Sequence, residues 1–202
     1  CDTRINKVLN RMGKSGQGQN TDQKRKPIRH HKPQVDHLGS NLLNVFEGKD
    51  ATLISGITDY SWVQLLSEIG NDLGKWPSEK HFTSWLGLSP GQNDSGGKKK
   101  RVKKKGRPVT GQIFRTIAQG LINSKNIAIG AFGRRLRGRK GAAIAIKAMA
   151  RKLAILYWRI MQKGLDFVEK GIKKYEEQLA AQKLKTVMRL ANELNLDVSH
   201  YH

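Results

Sequence analysis

A chain of 202 residues with 38 Lys or Arg against 16 Asp or Glu carries a formal charge of +22. That is too positive for an enzyme of small neutral substrates and suits a polyanionic partner. With 37% apolar and 6% aromatic residues the chain can fill a helical core, which excludes a fully disordered or a collagen-like protein. Its single cysteine, Cys1, cannot form an internal disulfide, and no run approaches the ~20 apolar residues of a membrane span. A soluble protein of a reducing compartment with no membrane partner is expected. The N-terminus lacks the layout of a signal peptide, and because the first residue is Cys1, not Met, a preceding segment is expected as well.

The first predicted element is a helix over residues 1–12, where Ile5, Val8, Leu9 and Met12 share one face; it reads as the end of a linker or coiled-coil helix. Residues 13–34 have linker composition, with three glycines, two prolines and few apolar side chains. A domain spanning residues 35–202 follows. It opens with a helix from Val35 to Phe46, then a pair of short helices around Ser55-Gly56-Ile57-Thr58-Asp59, with Asp59 as N-cap of the second. Ser78 caps a helix that buries Phe82, Trp85 and Leu86 and stops at Gly87. From Leu88 to Gly111 there is no helical period, so a long basic loop is predicted. Beyond it come a helix capped by Thr110 with the stripe Ile113, Phe114, Ile117, Ala118, Leu121 and Ile122, a shorter one around Ile127 to Leu136, and a long one from Gly141 to Lys163. A mixed-charge helix from Ile172 to Leu194 ends the series. The fold class is all-α, with no strand pattern and no internal repeat.

The charge is local. Residues 1–48 sum to +5, 49–96 to −3, 97–107 to +8, 108–163 to +12 and 164–202 to zero. A stretch from 97 to 163 with no carboxylate cannot neutralise itself by internal pairing within that stretch, so an external phosphate backbone is the expected partner. Lys98, Lys99, Lys100, Arg101, Lys103, Lys104, Lys105 and Arg107 place eight cations in ten positions of the predicted loop. Lysine grips phosphate as a point charge and carries no sequence preference. The cluster Arg134, Arg135, Arg137, Arg139 and Lys140 suits bidentate phosphate contacts or the groove of an A-form duplex, and Lys147 and Arg151 extend the basic surface along the long helix.

Three further features bear on chemistry. The Gly56 turn resembles a helix-hairpin-helix module, in which turn amides face a DNA phosphate; Asp59 repels phosphate there, and a packing hairpin is the alternative. Ser95, flanked by Gly96 and Gly97 and followed by lysines, is a nucleophile candidate because small neighbours admit a phosphodiester and cations stabilise the transition state. Ser-Gly-Gly is equally a common turn, and Asp94 an Asx-turn former. The histidines have no metal-site spacing, and the basic region has no carboxylates to hold magnesium, so no metal ligand is assigned in this chain.

The ordered segments Leu53-Ile54-Ser55-Gly56-Ile57, Leu65-Leu66-Ser67-Glu68-Ile69-Gly70, Trp76-Pro77-Ser78-Glu79-Lys80-His81-Phe82, Trp85-Leu86-Gly87-Leu88-Ser89-Pro90-Gly91 and Ser95-Gly96-Gly97-Lys98 resemble the C-terminal half of bacterial insertion-sequence transposases of the DEDD type, the IS-one-ten group and its IS-eleven-eleven branch. The likeness runs from about Pro33 to Val187. It implies a recombinase that moves a mobile element in the bacterial cytoplasm, at the nucleoid, using an element-encoded RNA to bridge donor and target DNA. It also implies a homo-oligomer, Ser95 as the nucleophile that joins DNA, and magnesium bound by four carboxylates of a domain before Cys1. Without that domain the chain alone is expected to be inactive. The alternative is a non-catalytic nucleic-acid-binding module from a truncated or decayed transposase, and a third reading is a basic structural RNA-binding protein.

Overall fold

The computed structural model describes residues 2–13, 35, 37–90, 94–95, 98–99, 108–125 and 127–164 and, towards the C-terminus, 177, 180–181 and 183–194. The chain divides into two compact units, Cys1–Leu165 and Asp166–His202. The described part of the first unit is helical: α1 (Asp2–Met12), α2 (Leu38–Val45), a 3-10 turn (Ala51–Leu53), α3 (Asp59–Ile69), α4 (Glu79–Trp85), α5 (Pro108–Leu121), α6 (Ala128–Lys140) and α7 (Ala142–Lys163). The all-α fold expected from the sequence is therefore present. One small addition to it is an antiparallel ladder of two residues per strand, β1 (Asp94–Ser95) with β2 (Lys98–Lys99). The predicted linker over 14–34 lies outside the described residues.

Local chemistry sets the element ends. His37 adopts a left-handed backbone, φ 51°, which a helix cannot pass through, so α2 begins at Leu38 and not at Val35. Thr58, not Asp59, caps α3: its hydroxyl accepts from the Ser61 amide at 3.3 Å while the Ser61 hydroxyl accepts from the Thr58 amide at 2.8 Å. Asp59 is the first helical residue, where its charge complements the helix N-terminus. Ser78 caps α4 as predicted. The first helix of the expected hairpin pair is only the single 3-10 turn Ala51–Leu53. A Cβ at Gly56 would stand 2.8 Å from Ile117 and 2.9 Å from Leu121, so this turn abuts α5.

Helix α7 is the centre of the unit, touching α4, α5, α6 and the 3-10 turn. Its fully buried Ala145, Ala150 and Ala154 let neighbouring helices come close, and a Cβ at Gly133 of α6 would collide with Met149. An aromatic cluster fills the space between α4, α5 and α7: Phe82, Phe114 and Tyr157 have ring centroids 5.9–6.4 Å apart, and Trp76 sits 5.0 Å from Phe82. Burial pushes the Tyr157 hydroxyl above the ordinary tyrosine range, with the neighbouring Trp62 indole opposing part of that rise. Neither the Tyr157 hydroxyl nor the Trp62 indole nitrogen makes a well-formed hydrogen bond among the described residues. In the second unit, residues 183–193 are helical and Arg189 pairs with Glu193 at 3.6 Å.

One ion pair ties α4 to α7. Arg159 donates to both Glu79 oxygens, at 2.5 and 2.8 Å, across 80 residues of sequence. The Arg159 hydrogen bond holds the Glu79 carboxyl below its ordinary range, against an opposing effect of burial. A carboxyl lowered in the folded state stabilises the fold above its ordinary pKa of 4.5 and loses that contribution as pH falls through the lowered value. Both side chains are part-exposed, so Glu79→Gln is expected to cost about 1 kcal/mol at neutral pH. Thermal unfolding of the two proteins from pH 7 down to pH 2.5 checks this: the melting temperatures should converge at the acid end, and a constant gap would rule out the ion pair as its source.

Candidate nucleic-acid interface

The basic loop leaves the body at a defined point. Helix α4 ends in a Gly87 turn, φ 67°, in which the Gly87 amide donates to Ser84 at 3.0 Å and the Leu88 amide to Thr83 at 2.9 Å. Leu88 is then buried. On the return side α5 begins at Pro108, a residue whose fixed φ and missing N–H suit the first helical position. Thr110 is not its cap: it is fully buried, and its hydroxyl donates to Glu68 of α3 at 3.3 Å. One position on, Gly111 rests on the Leu86 carbonyl so closely that a Cβ would overlap the oxygen. Arg115 donates to the Gly87 carbonyl at 3.5 Å. The described residues on either side of the 91–107 stretch, Gly87 and Leu88 after α4 and Thr110, Gly111 and Arg115 of α5, are thus fixed against one another and against Glu68.

Within that segment the β1–β2 register sets Ser95 opposite Lys98 and Asp94 opposite Lys99. Gly96 and Gly97 separate the strands in sequence, the dipeptide a two-residue hairpin favours. Lys100, Arg101, Lys103, Lys104, Lys105 and Arg107 lie outside the described residues.

The second cationic group sits on α6, which continues past Leu136 to Lys140, so all five of its basic residues are helical. Helices α6 and α7 are joined by Gly141 alone, φ 85°, and pack as a hairpin. The cations differ in what they touch. The Arg134 guanidinium bonds the Ser124 carbonyl and reaches that of Lys125 at 3.5 Å; Arg137 donates to Asn123 at 3.2 Å. Both brace the α5–α6 connection. Lys152 lies 4.2 Å from the Phe132 ring centroid, and burial first, then Arg135, keeps its ammonium below the ordinary lysine range. Lys147 and Arg151 are half-buried, whereas Arg135, Arg139 and Lys140 are exposed. Gly56 belongs to the turn against α5 described above. Among the described residues there is no group of three or more His, Cys, Asp or Glu that could hold a metal ion. No helix among them is long and apolar enough to cross a membrane.

The residues that hold the loop's base, Glu68, Thr110, Gly111 and Arg115, were not singled out for this role by sequence reasoning. The one available hint is Arg115, a lone cation in the apolar stripe of α5. Residues 51–132 match the profile of the Transposase IS116/IS110/IS902 family. No curated protein and no solved structure matches the chain.

Proposed function

We propose that this chain is the C-terminal part of an insertion-sequence transposase of the matched type, which binds DNA and an element-encoded RNA and supplies Ser95 as the nucleophile of strand exchange. The observation that carries this reading is the extent of the family match, from the 3-10 turn at Ala51 through Phe132 of α6, which brackets both the Ser95 ladder and the lysine run. Ser95 then stands beside cations in a loop with a fixed base, where phosphate and nucleophile can meet. Sequence choice falls to base pairing by the RNA, because lysines contact phosphate without reading bases. The magnesium chemistry implied by the resemblance would be supplied by four carboxylates of a domain before Cys1. A homo-oligomer acting in the bacterial cytoplasm completes the proposal.

Replacing the eight cations of 98–107 with Gln tests the binding half. Duplex DNA affinity should fall, and the slope of log affinity against log salt should flatten by several units, up to about 7 if every cation meets a phosphate. An unchanged slope would remove this loop from the interface.

A further inference from the structure

Most cations of 108–163 with described contacts are engaged by the fold itself: Arg134 and Arg137 by the α5–α6 connection, Arg159 by Glu79 and Lys152 by Phe132. The end of the α6–α7 hairpin is different. Every residue from Gly138 to Ile144 is exposed, so both helix ends and the Gly141 turn stand clear of the packed body. On this tip Arg139 and Lys140 close one leg, and the other leg begins Ala142-Ala143-Ile144, with Ile144 53% exposed. A lone exposed isoleucine is ordinary. Here it stands in the first turn of α7, three residues past the Gly141 turn, next to alanines too small to obstruct a close approach and within five residues of Arg139 and Lys140 in sequence. That combination is the chemistry of an apolar wedge that enters a minor groove between phosphate-bound cations.

We propose that the α6–α7 tip is a second DNA-contact surface, separate in sequence from the lysine loop, which docks in the minor groove of a duplex with Ile144 against a base step and Arg139 and Lys140 on the flanking phosphates. The proposal rests on the reading of this chain as a DNA-binding protein and adds the part of the fold that bends the duplex.

The test uses the full chain and a DNA duplex carrying a donor and an acceptor dye at its ends, with salt titrations of wild type, Ile144→Ala, Arg139→Gln/Lys140→Gln and the 98–107 variant. Ile144→Ala should weaken binding about tenfold at an unchanged salt slope, since the lost contact is apolar, and should reduce the end-to-end transfer that reports bending. The Arg139→Gln/Lys140→Gln pair should flatten the slope by about 2. Because these side chains are exposed, melting temperatures should stay at the wild-type value, and a large drop would place Ile144 in the core and overturn the proposal. If only the 98–107 variant changes binding, the tip is not a contact while the DNA-binding reading stands. If wild type does not bind duplex DNA, both fall. Equal effects on an RNA duplex, whose minor groove is wide and shallow, would overturn the groove assignment.

Discussion

Ser95→Ala, placed in the longer transposase proposed above, is expected to abolish the covalent protein–DNA adduct and strand exchange, by about a thousandfold or more, while duplex affinity stays within about twofold. The step at stake forms a bond between the Ser95 oxygen and phosphorus and breaks one phosphodiester P–O bond. The serine proton is lost to a base or solvent, and the released DNA oxygen takes up a proton. Without the hydroxyl oxygen no covalent intermediate can exist, whereas the cations that follow Ser95 in sequence still neutralise phosphate. The split between chemistry and binding is therefore the diagnostic quantity. An adduct that survives in the variant would show that Ser95 is not the nucleophile. Wild-type protein that binds DNA but never forms an adduct would instead favour the non-catalytic module.

The second large effect is on stability. Gly111→Ala is expected to destabilise the first unit by about 3 kcal/mol, although alanine is the better helix former by about 1 kcal/mol. The new methyl would overlap the Leu86 carbonyl oxygen, and that atom is backbone, fixed by the α4 cap and the Gly87 turn. Relief requires α5 to withdraw from α4, which opens the base of the loop and strains the contact of Phe82 with Phe114. Gly120 in the same helix is the internal control: no atom lies within 4 Å of its added Cβ. Gly120→Ala should therefore be neutral or stabilising by up to about 1 kcal/mol. Urea unfolding of the two variants decides the matter, since equal effects at Gly111 and Gly120 would mean that helix propensity, not close approach, governs both.

These cases show which parts of the molecule a sequence discloses. The period of apolar residues locates α3, α4 and α7, and Ser78 and Gly87 mark the ends of α4, because caps and periodicity act within a few residues. Thr110 and Asp59 are suitable cap types that do other things, since a cap is defined by backbone geometry two or three residues on and not by composition. Gly111 and Gly133 look like loop or helix-weakening glycines until the opposing Leu86 carbonyl and Met149 are known. Charge counting found the basic region but could not distinguish Arg134, held by carbonyls of the preceding connection, from exposed Arg139. The Glu79–Arg159 pair spans 80 residues and has no local signature at all. For Ser95, what the fold adds is the backbone register against Lys98 and the pinned base.

The Gly141 turn also bears on the order in which the protein assembles. Gly133 and Met149 meet across 16 residues, whereas Glu79 must find Arg159 across 80, and loop closure over the longer span costs about 1.4 kcal/mol more in chain entropy. Contacts of short sequence separation are made first. The α6–α7 hairpin therefore closes at a lower cost in chain entropy than the contact that brings α4 to α7.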